Sequence, residues 1–219
     1  MSLVIVHEDE QLIVVDKPAG LPVIPGRNLA SSDTLIDQIN SYLGAKAFVV
    51  HRLDRETSGL VLFAKDAATH RNLCGQFEKR TVTKIYQALV LGHIEKDETI
   101  DSPIRQFGSG RMGIGPEGKP ASTAVKVVGT MPAASLLEVT PATGRRHQIR
   151  VHLYSIGHPI MGDPLYGVSR PVGGCPRLML HAETLRFTRA NGAALELRAM
   201  PGSDWLQAIL YCRELKPPE

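Results

Sequence analysis

The chain has 219 residues, of which 43% are hydrophobic, and this length suffices for one large or two small domains with a sizeable core. Its 25 basic and 22 acidic residues give a net charge of +3, too small a surplus to indicate nucleic-acid binding without local clustering. The three cysteines have no metal-ligand or redox spacing, and no apolar run exceeds the length of a strand. These features exclude a disulfide-rich secreted protein and one that spans a membrane with helices, and they predict a reduced, cytoplasmic protein.

The N-terminal part of the sequence predicts strands interrupted by two helices. Its apolar runs predict strands, the first two of them joined as a β-hairpin, at residues 3–7, 12–16, 47–50 and 60–64. Asp33 is the predicted N-cap of a helix over residues 34–43. Asp66 is the predicted N-cap of a second helix, with Leu73 and Phe77 on its inner face.

The remainder of the sequence predicts mostly strands. They are expected at residues 82–91, 98–104, 122–130, 135–140, 178–187 and 194–199. The glycine-rich segment 108–118 predicts a hairpin loop rather than a phosphate-binding loop, because no helix follows it. Two helices are predicted, one over residues 145–156 and one near the C-terminus with Leu206, Ile209 and Leu210 facing inward.

A polar loop lies between the apolar runs 47–50 and 60–64, and rigid strands that present a charged loop commonly build a functional site. Its carboxylate, Asp54, is flanked by Arg52 and Arg55. Neighbouring cations favour the charged form of a carboxylate, which suits a nucleophile or a base. From these residues alone, a structural loop with surface ion pairs fits equally well.

Six segments of the sequence resemble, in order, motifs of the RluA-type family of RNA pseudouridine synthases. They are VDKPAGL at 15–21, HRLDRETSGL at 51–60, KIYQALV at 84–90, TGRRHQIRVH at 143–152, GHPIMGD at 157–163 and RLMLHA at 177–182. The short loop at residues 24–27 is similar to that of the RluA branch. The resemblance implies an α+β fold, with a mixed, mostly antiparallel sheet divided by a central cleft and helices on its flanks. It further implies a monomer with a single catalytic domain over residues 1–219, without an N-terminal S4-like RNA-binding domain.

The resemblance implies that the chain isomerises uridines to pseudouridine in structured RNA, in stem-loops of large-subunit rRNA, tRNA or both. This reaction breaks the bond from ribose C1′ to uracil N1 and rejoins C1′ to C5, and it needs no cofactor. Asp54 matches the essential carboxylate, whether it attacks the sugar, attacks the base or removes a ribose proton. Arg150 matches the basic residue that pairs with this carboxylate. Tyr86 matches the tyrosine that stacks on the target base and helps proton transfer.

The resemblance also implies residues that contact the RNA. Arg52 matches the residue that enters the RNA in place of the flipped nucleotide, a substitution that helps to extrude a stacked base. Further expected substrate-binding residues are His51, Arg55, Lys17, Arg146 and Leu180. Other basic residues are candidates for phosphate contacts: Lys79, Arg80, Lys84, Arg105, Arg111, Lys119 and Arg145.

Two other classes of protein, a metal hydrolase and a non-catalytic RNA-binding module, fit the sequence less well. A metal hydrolase would need clustered ligands, but His147 and His152 are five residues apart and do not share one face of a helix. No metal is therefore expected. A non-catalytic RNA-binding module would not require Asp54, Tyr86 and Arg150 together, and their joint presence favours an enzyme.

Overall fold

The computed structural model describes residues 3–26, 34–167 and 175–214, and it shows an α+β fold. The α+β prediction is confirmed. The chain divides into two compact units. Unit 1 comprises Met1–Lys84 and Ala182–Met200, and unit 2 comprises Ile85–His181 and Pro201–Glu219. Within the described ranges, no helix is long and apolar enough to cross a membrane.

The secondary-structure elements follow the predicted order closely. The helices are α1 (Leu35–Leu43), α2 (Ala67–Glu78), α3 (Gln148–Ser155) and α4 (Ser203–Glu214). The strands of the first half are β1 (Val4–Glu8), β2 (Leu12–Lys17), β3 (Phe48–Val49), β4 (Ser58–Ala64), β5 (Thr83–Leu91) and β6 (Glu98–Asp101). Those of the second half are β7 (Ile104–Gln106), β8 (Met112–Ile114), β9 (Ser122–Met131), β10 (Ala134–Pro141), β11 (Leu180–Thr188) and β12 (Ala194–Arg198).

In unit 1 the sheet has the order β1-β2-β4-β11-β12, with β3 also paired to β4. Strands β2 and β4 are antiparallel and buried on both faces. Consecutive residues of β4, such as Leu62 and Phe63, belong to two different core clusters, because successive side chains of a strand point to opposite faces. Helix α1 packs on one face through Ile39, and α2 packs on the other through Leu73. This burial explains the continuous apolar runs of both strands.

In unit 2 the antiparallel sheet has the order β5-β10-β9-β6. One large core cluster covers it and includes Leu153 of α3 and Trp205 of α4. A smaller cluster contains Val151 of α3, Tyr166 and Ile104 of the β7–β8 hairpin. Helix α3 is therefore enclosed on more than one side, and its residues 148–153 are all buried. The predicted hairpin at the glycine-rich segment is confirmed by β7 and β8.

Two helix predictions need correction. Helix α1 is capped by Thr34, whose hydroxyl and N–H both donate to Asp37 Oδ2 at 2.6 and 3.2 Å, whereas Asp33 lies outside the described residues. The predicted inner face of helix α4 is right for Ile209, which packs against the core of unit 2, but wrong for Leu206 and Leu210, which are 59% and 49% exposed. Trp205, Ala208 and Cys212, which are spaced three and four residues apart on one face of the helix, are the buried residues.

The backbone at Gly59 excludes any side chain. Gly59 has a φ of +110°, and a Cβ atom there would lie 2.3 Å from the carbonyl oxygen of Ala182, within unit 1. We expect Gly59→Ala to lower the free energy of unfolding by roughly 3 kcal/mol or more, since it adds a backbone clash to a strained conformation. Urea denaturation measures this loss.

The matched control is Gly129→Ala, because Gly129 lies in β9 with open space around the position of a Cβ atom. Its replacement should change the free energy of unfolding by less than about 1 kcal/mol. Equal effects of the two substitutions would contradict the close approach at Gly59.

Candidate active site and RNA-contact residues

Asp54 lies half-exposed in the loop between β3 and β4 of unit 1. The N–H of Thr57 donates to the carbonyl of Asp54 at 3.1 Å, so the loop closes on itself as a turn. Thr57 and Ser58 are buried and lead directly into β4. The carboxylate is therefore presented by a short turn anchored to a strand that is buried on both faces.

A buried lysine fixes the end of this turn. Lys17 has no exposed surface, and its Nζ donates to the carbonyls of Pro18, Leu21 and Arg55 at 2.8, 2.9 and 3.0 Å. The Arg55 carbonyl also accepts the N–H of Gly20 at 2.9 Å. An ammonium group has three donors, and here backbone oxygens take them. This side chain thus joins residues 17–21 to the residue that follows Asp54, and its predicted contact with RNA stays a prediction.

The ring of His51 is held by two contacts within unit 1. Its ring stacks on Phe77 with centroids 4.8 Å apart, and its Nε2 accepts the N–H of Leu62 at 3.1 Å. Burial, with the nearby charge of Lys84, lowers the pKa of His51 to about 3. The imidazole therefore stays neutral at physiological pH, and the predicted contact of His51 with RNA stays a prediction.

Three of the predicted RNA-contact arginines are exposed: Arg52, Arg55 and Arg146. The Arg55 side chain donates from Nε to the carbonyl of Gly20 at 2.9 Å. This is a second hydrogen bond between Arg55 and Gly20, in addition to the one from the Gly20 N–H. Leu180, in contrast, is only 3% exposed and belongs to the core of unit 2. Its contacts in the structure are those of core packing, and its predicted role as a substrate contact stays a prediction.

Tyr86 lies in β5 of unit 2, opposite Val139 of β10. It is half-buried and packs against the core cluster of that unit. A tyrosine whose ring is supported by a sheet on one side offers a rigid aromatic surface on the other, and this arrangement suits stacking on a nucleobase.

Arg150 is almost completely buried in α3 and has a partner that the sequence did not suggest. Its Nε donates to Asp163 Oδ2 at 2.8 Å and its Nη2 to Asp163 Oδ1 at 2.7 Å, a bidentate pair. Burial raises the pKa of Asp163, but the hydrogen bonds and charge of Arg150 outweigh it and hold that pKa below its usual value. The pair is therefore ionised and fixes the plane of the guanidinium.

Asp163 ends the segment 157–163 that resembles the family, but no role was predicted for it. Asp163 Oδ1 also accepts the N–H groups of Leu165 and Tyr166, at 2.8 and 3.0 Å, so it caps the turn in which Tyr166 lies. The pattern Asp-Pro-Leu-Tyr-Gly at residues 163–167 could have indicated this turn. Nothing in the linear sequence indicated that its carboxylate would meet Arg150.

Among the residues that the structure describes, no group of three or more His, Cys, Asp or Glu side chains is arranged to hold a metal ion. His147 and His152 bind different neighbours. His147 Nδ1 lies 2.8 Å from the hydroxyl of Tyr166, whereas His152 contacts Thr123 Oγ1 and the carbonyl of Ser102 at 2.9 and 3.0 Å.

Comparison with known proteins identifies the family. The family model described as RNA pseudouridylate synthase matches residues 11–155, a segment that contains Asp54, Tyr86 and Arg150. The chain belongs to this family. The dual-specificity RNA pseudouridine synthase RluA of Pasteurella multocida is 39% identical over 84% of this chain and 85% of its own length.

Other relatives and solved structures agree with this family. The ribosomal large subunit pseudouridine synthase D of Nitrosomonas europaea is 41% identical over 96% of this chain, and the chain spans 65% of that relative's length. The solved structure of human RNA pseudouridylate synthase domain containing 4 superimposes with a TM-score of 0.79 at 26% identity, covering 98% of this chain and 95% of that one. The family members named here are pseudouridine synthases, which are isomerases.

The role of Lys17 can be tested by replacing its ammonium with an apolar group of similar length. We expect Lys17→Met to lower the free energy of unfolding by about 3 kcal/mol or more, because it leaves buried carbonyls without donors. The matched control is Lys65→Met, which removes a partly exposed pair with Glu8 and should cost about 1 kcal/mol or less.

The dependence of RNA affinity on salt separates a structural role of Lys17 from a phosphate contact. A phosphate contact would reduce the slope of log affinity against log salt by roughly 1 when it is lost. We expect the slope of Lys17→Met to equal that of the wild type. Unchanged stability together with a reduced slope would contradict the structural role.

Proposed function

We propose that this chain is an RNA pseudouridine synthase that converts specific uridines of structured RNA to pseudouridine, with Asp54 as its essential carboxylate. The observation that carries the proposal is the placement of Asp54 within the family match, on a turn whose following carbonyl is held by a buried lysine. A carboxylate on a rigid turn, half-open to solvent, is accessible to a substrate and needs little reorganisation to react.

The proposed roles of the other two residues follow from the resemblance and are compatible with their positions. Tyr86 offers a supported ring for stacking on the target base. Arg150 carries a permanent positive charge and is oriented by Asp163, so it can stabilise negative charge that develops on the detached uracil. Together the three residues supply what the isomerisation needs: a charged carboxylate, a surface that retains the loose base, and a fixed cation.

The proposed RNA partner is a stem-loop. The relatives in the comparison are named for large-subunit rRNA or, in the RluA of Pasteurella multocida, for dual specificity. Sequence-specific RNA recognition mostly uses unpaired loop bases that can be splayed out and stacked on side chains. The exposed Arg52, next to the Asp54 turn, is suited to occupying the place of an extruded nucleotide.

Replacement of Asp54 by asparagine tests the catalytic role. Asn is nearly isosteric but can act neither as a nucleophile nor as a base, so we expect no detectable pseudouridine formation with folding and RNA affinity retained. Tritium release from RNA labelled at C5 of uridine measures turnover, with a chelator present to exclude metal-dependent hydrolysis.

The control for this experiment is Asp101→Asn, since Asp101 is an exposed aspartate of β6. It should behave as the wild type. Turnover by Asp54→Asn within tenfold of the wild type would rule out an essential carboxylate, because tenfold corresponds to a barrier of only about 1.4 kcal/mol.

Replacement of Tyr86 by phenylalanine separates stacking from proton transfer. The ring remains, so we expect RNA affinity within about threefold of the wild type, whereas turnover should fall by roughly 100-fold if the hydroxyl moves a proton. Normal turnover would show that stacking alone explains this residue. Tyr42→Phe, at an exposed tyrosine of α1, is the control.

The substrate can be identified by mapping pseudouridines in RNA from cells that lack the gene, by carbodiimide treatment and primer extension. We expect the missing sites to lie in stem-loops of large-subunit rRNA, of tRNA or of both, and the isolated stem-loop to be modified by the purified enzyme. Loss confined to small-subunit rRNA would contradict this substrate but not the reaction.

A further inference from the structure

We propose that Tyr166 is a positioning residue for Arg150, and that its ring, more than its hydroxyl, maintains the guanidinium in its reactive orientation. The proposal rests on the proposed function, in which Arg150 acts in the isomerisation. All the residues that carry it lie in unit 2, and none of the sequence patterns assigned Tyr166 a role.

The ring of Tyr166 lies directly against the guanidinium of Arg150. The Cζ atom of Arg150 is 5.1 Å from the ring centroid, within the range of a cation–π contact. Tyr166 is 1% exposed and Arg150 is 2% exposed, so water does not screen this contact. The two oxygens of Asp163 fix the edge of the guanidinium, and the ring of Tyr166 limits its movement in a second direction.

The hydroxyl of Tyr166 ties the start of helix α3 to the β7–β8 hairpin. It accepts the N–H of Met112 at 3.2 Å, and its own proton is therefore available for His147 Nδ1 at 2.8 Å. His147 precedes the helix with a φ of +56°, an uncommon backbone conformation for a residue with a side chain. A conformation of this kind persists only where its surroundings hold it, and the Tyr166 hydroxyl is one such support.

One turn of the chain thus supplies two separate constraints on the same arginine. Asp163 at its start binds the guanidinium and caps the turn, and Tyr166 at its end covers the guanidinium and anchors the helix that carries it. Since misplacing a catalytic group by a small distance lowers the rate strongly, such a turn is expected to affect the chemical step more than RNA binding.

The two functions of Tyr166 can be separated by paired substitutions. Tyr166→Phe keeps the ring and removes the hydroxyl, so it should lower the melting temperature while the single-turnover rate constant at saturating RNA stays within about threefold of the wild type. Tyr166→Leu removes the ring, and the rate constant should fall by about tenfold or more, the effect expected for losing a desolvated cation–π contact. The dissociation constant for RNA should change by less than about threefold in both variants.

The matched control is Phe187→Leu, which removes a buried aromatic ring from the core of unit 1. It should lower the melting temperature but leave the rate constant unchanged. Rate losses that follow the melting temperature across all three variants would overturn the proposal, because that result would mean that Tyr166 acts only through stability.

A readout that does not depend on activity completes the test. In protein labelled with 15N-arginine, the Nε–H of Arg150, identified by its loss in Arg150→Lys, should exchange slowly with solvent because it is donated to Asp163. We expect its exchange to accelerate at least about tenfold in Tyr166→Leu and little in Tyr166→Phe. Unchanged exchange in Tyr166→Leu would overturn the positioning role. Absence of pseudouridine formation by the wild type would instead overturn the proposed function, and the exchange measurement would still decide the role of Tyr166.

Discussion

The position of the turn that carries Asp54 depends on the hydrogen bonds from the buried ammonium group of Lys17 to three backbone carbonyls. A buried charge is costly unless polar atoms surround it, and here three backbone carbonyls do so. Two of these carbonyls belong to the loop that follows β2, and the third belongs to Arg55, immediately after the carboxylate. Because carbonyl oxygens are fixed by the backbone, the lysine constrains the path of both loops at once.

A buried cation surrounded by polar groups is also found in unit 2, but there the surrounding groups include a carboxylate. There the fixed charge is Arg150, and the groups that surround it are the carboxylate of Asp163 and the ring of Tyr166. Breaking a buried pair of this kind by removing one partner leaves an uncompensated charge, which usually costs several kcal/mol. In each unit a buried cation thus fixes a short segment: the Asp54 turn in unit 1 and the start of helix α3 in unit 2. Each segment carries a residue that matches the family's catalytic motifs.

Much of the fold could be predicted from the sequence because it is written in local patterns. Apolar runs with the length of a strand identified β2 and β4, and Asp66 identified the start of α2, where its carboxylate accepts the N–H groups of Ala68 and Thr69. The candidate site was predicted less completely. Lys17 and His51 have the residue types of RNA contacts, and only the tertiary structure shows that one is enclosed by carbonyls and the other by a ring and a strand. Asp163 was missed because its partner, 13 residues earlier, lies in a helix while Asp163 lies in a turn, and no periodicity records such a contact.

Unit 1 is built from two segments that are far apart along the chain, and this limits the order in which the protein can fold. Its sheet is built from residues at the start of the chain and from strands β11 and β12, while residues 85–181 intervene. On the ribosome, β4 emerges long before its neighbour β11 has been synthesised, so its apolar edge is exposed for that interval. The close approach of Gly59 to Ala182 is the point at which β11 must pack against β4. The turn that bears Asp54 thus acquires its final support only after residues 85–181 have been synthesised, and pairing of this sheet with a wrong strand in the meantime is the characteristic hazard of such an arrangement.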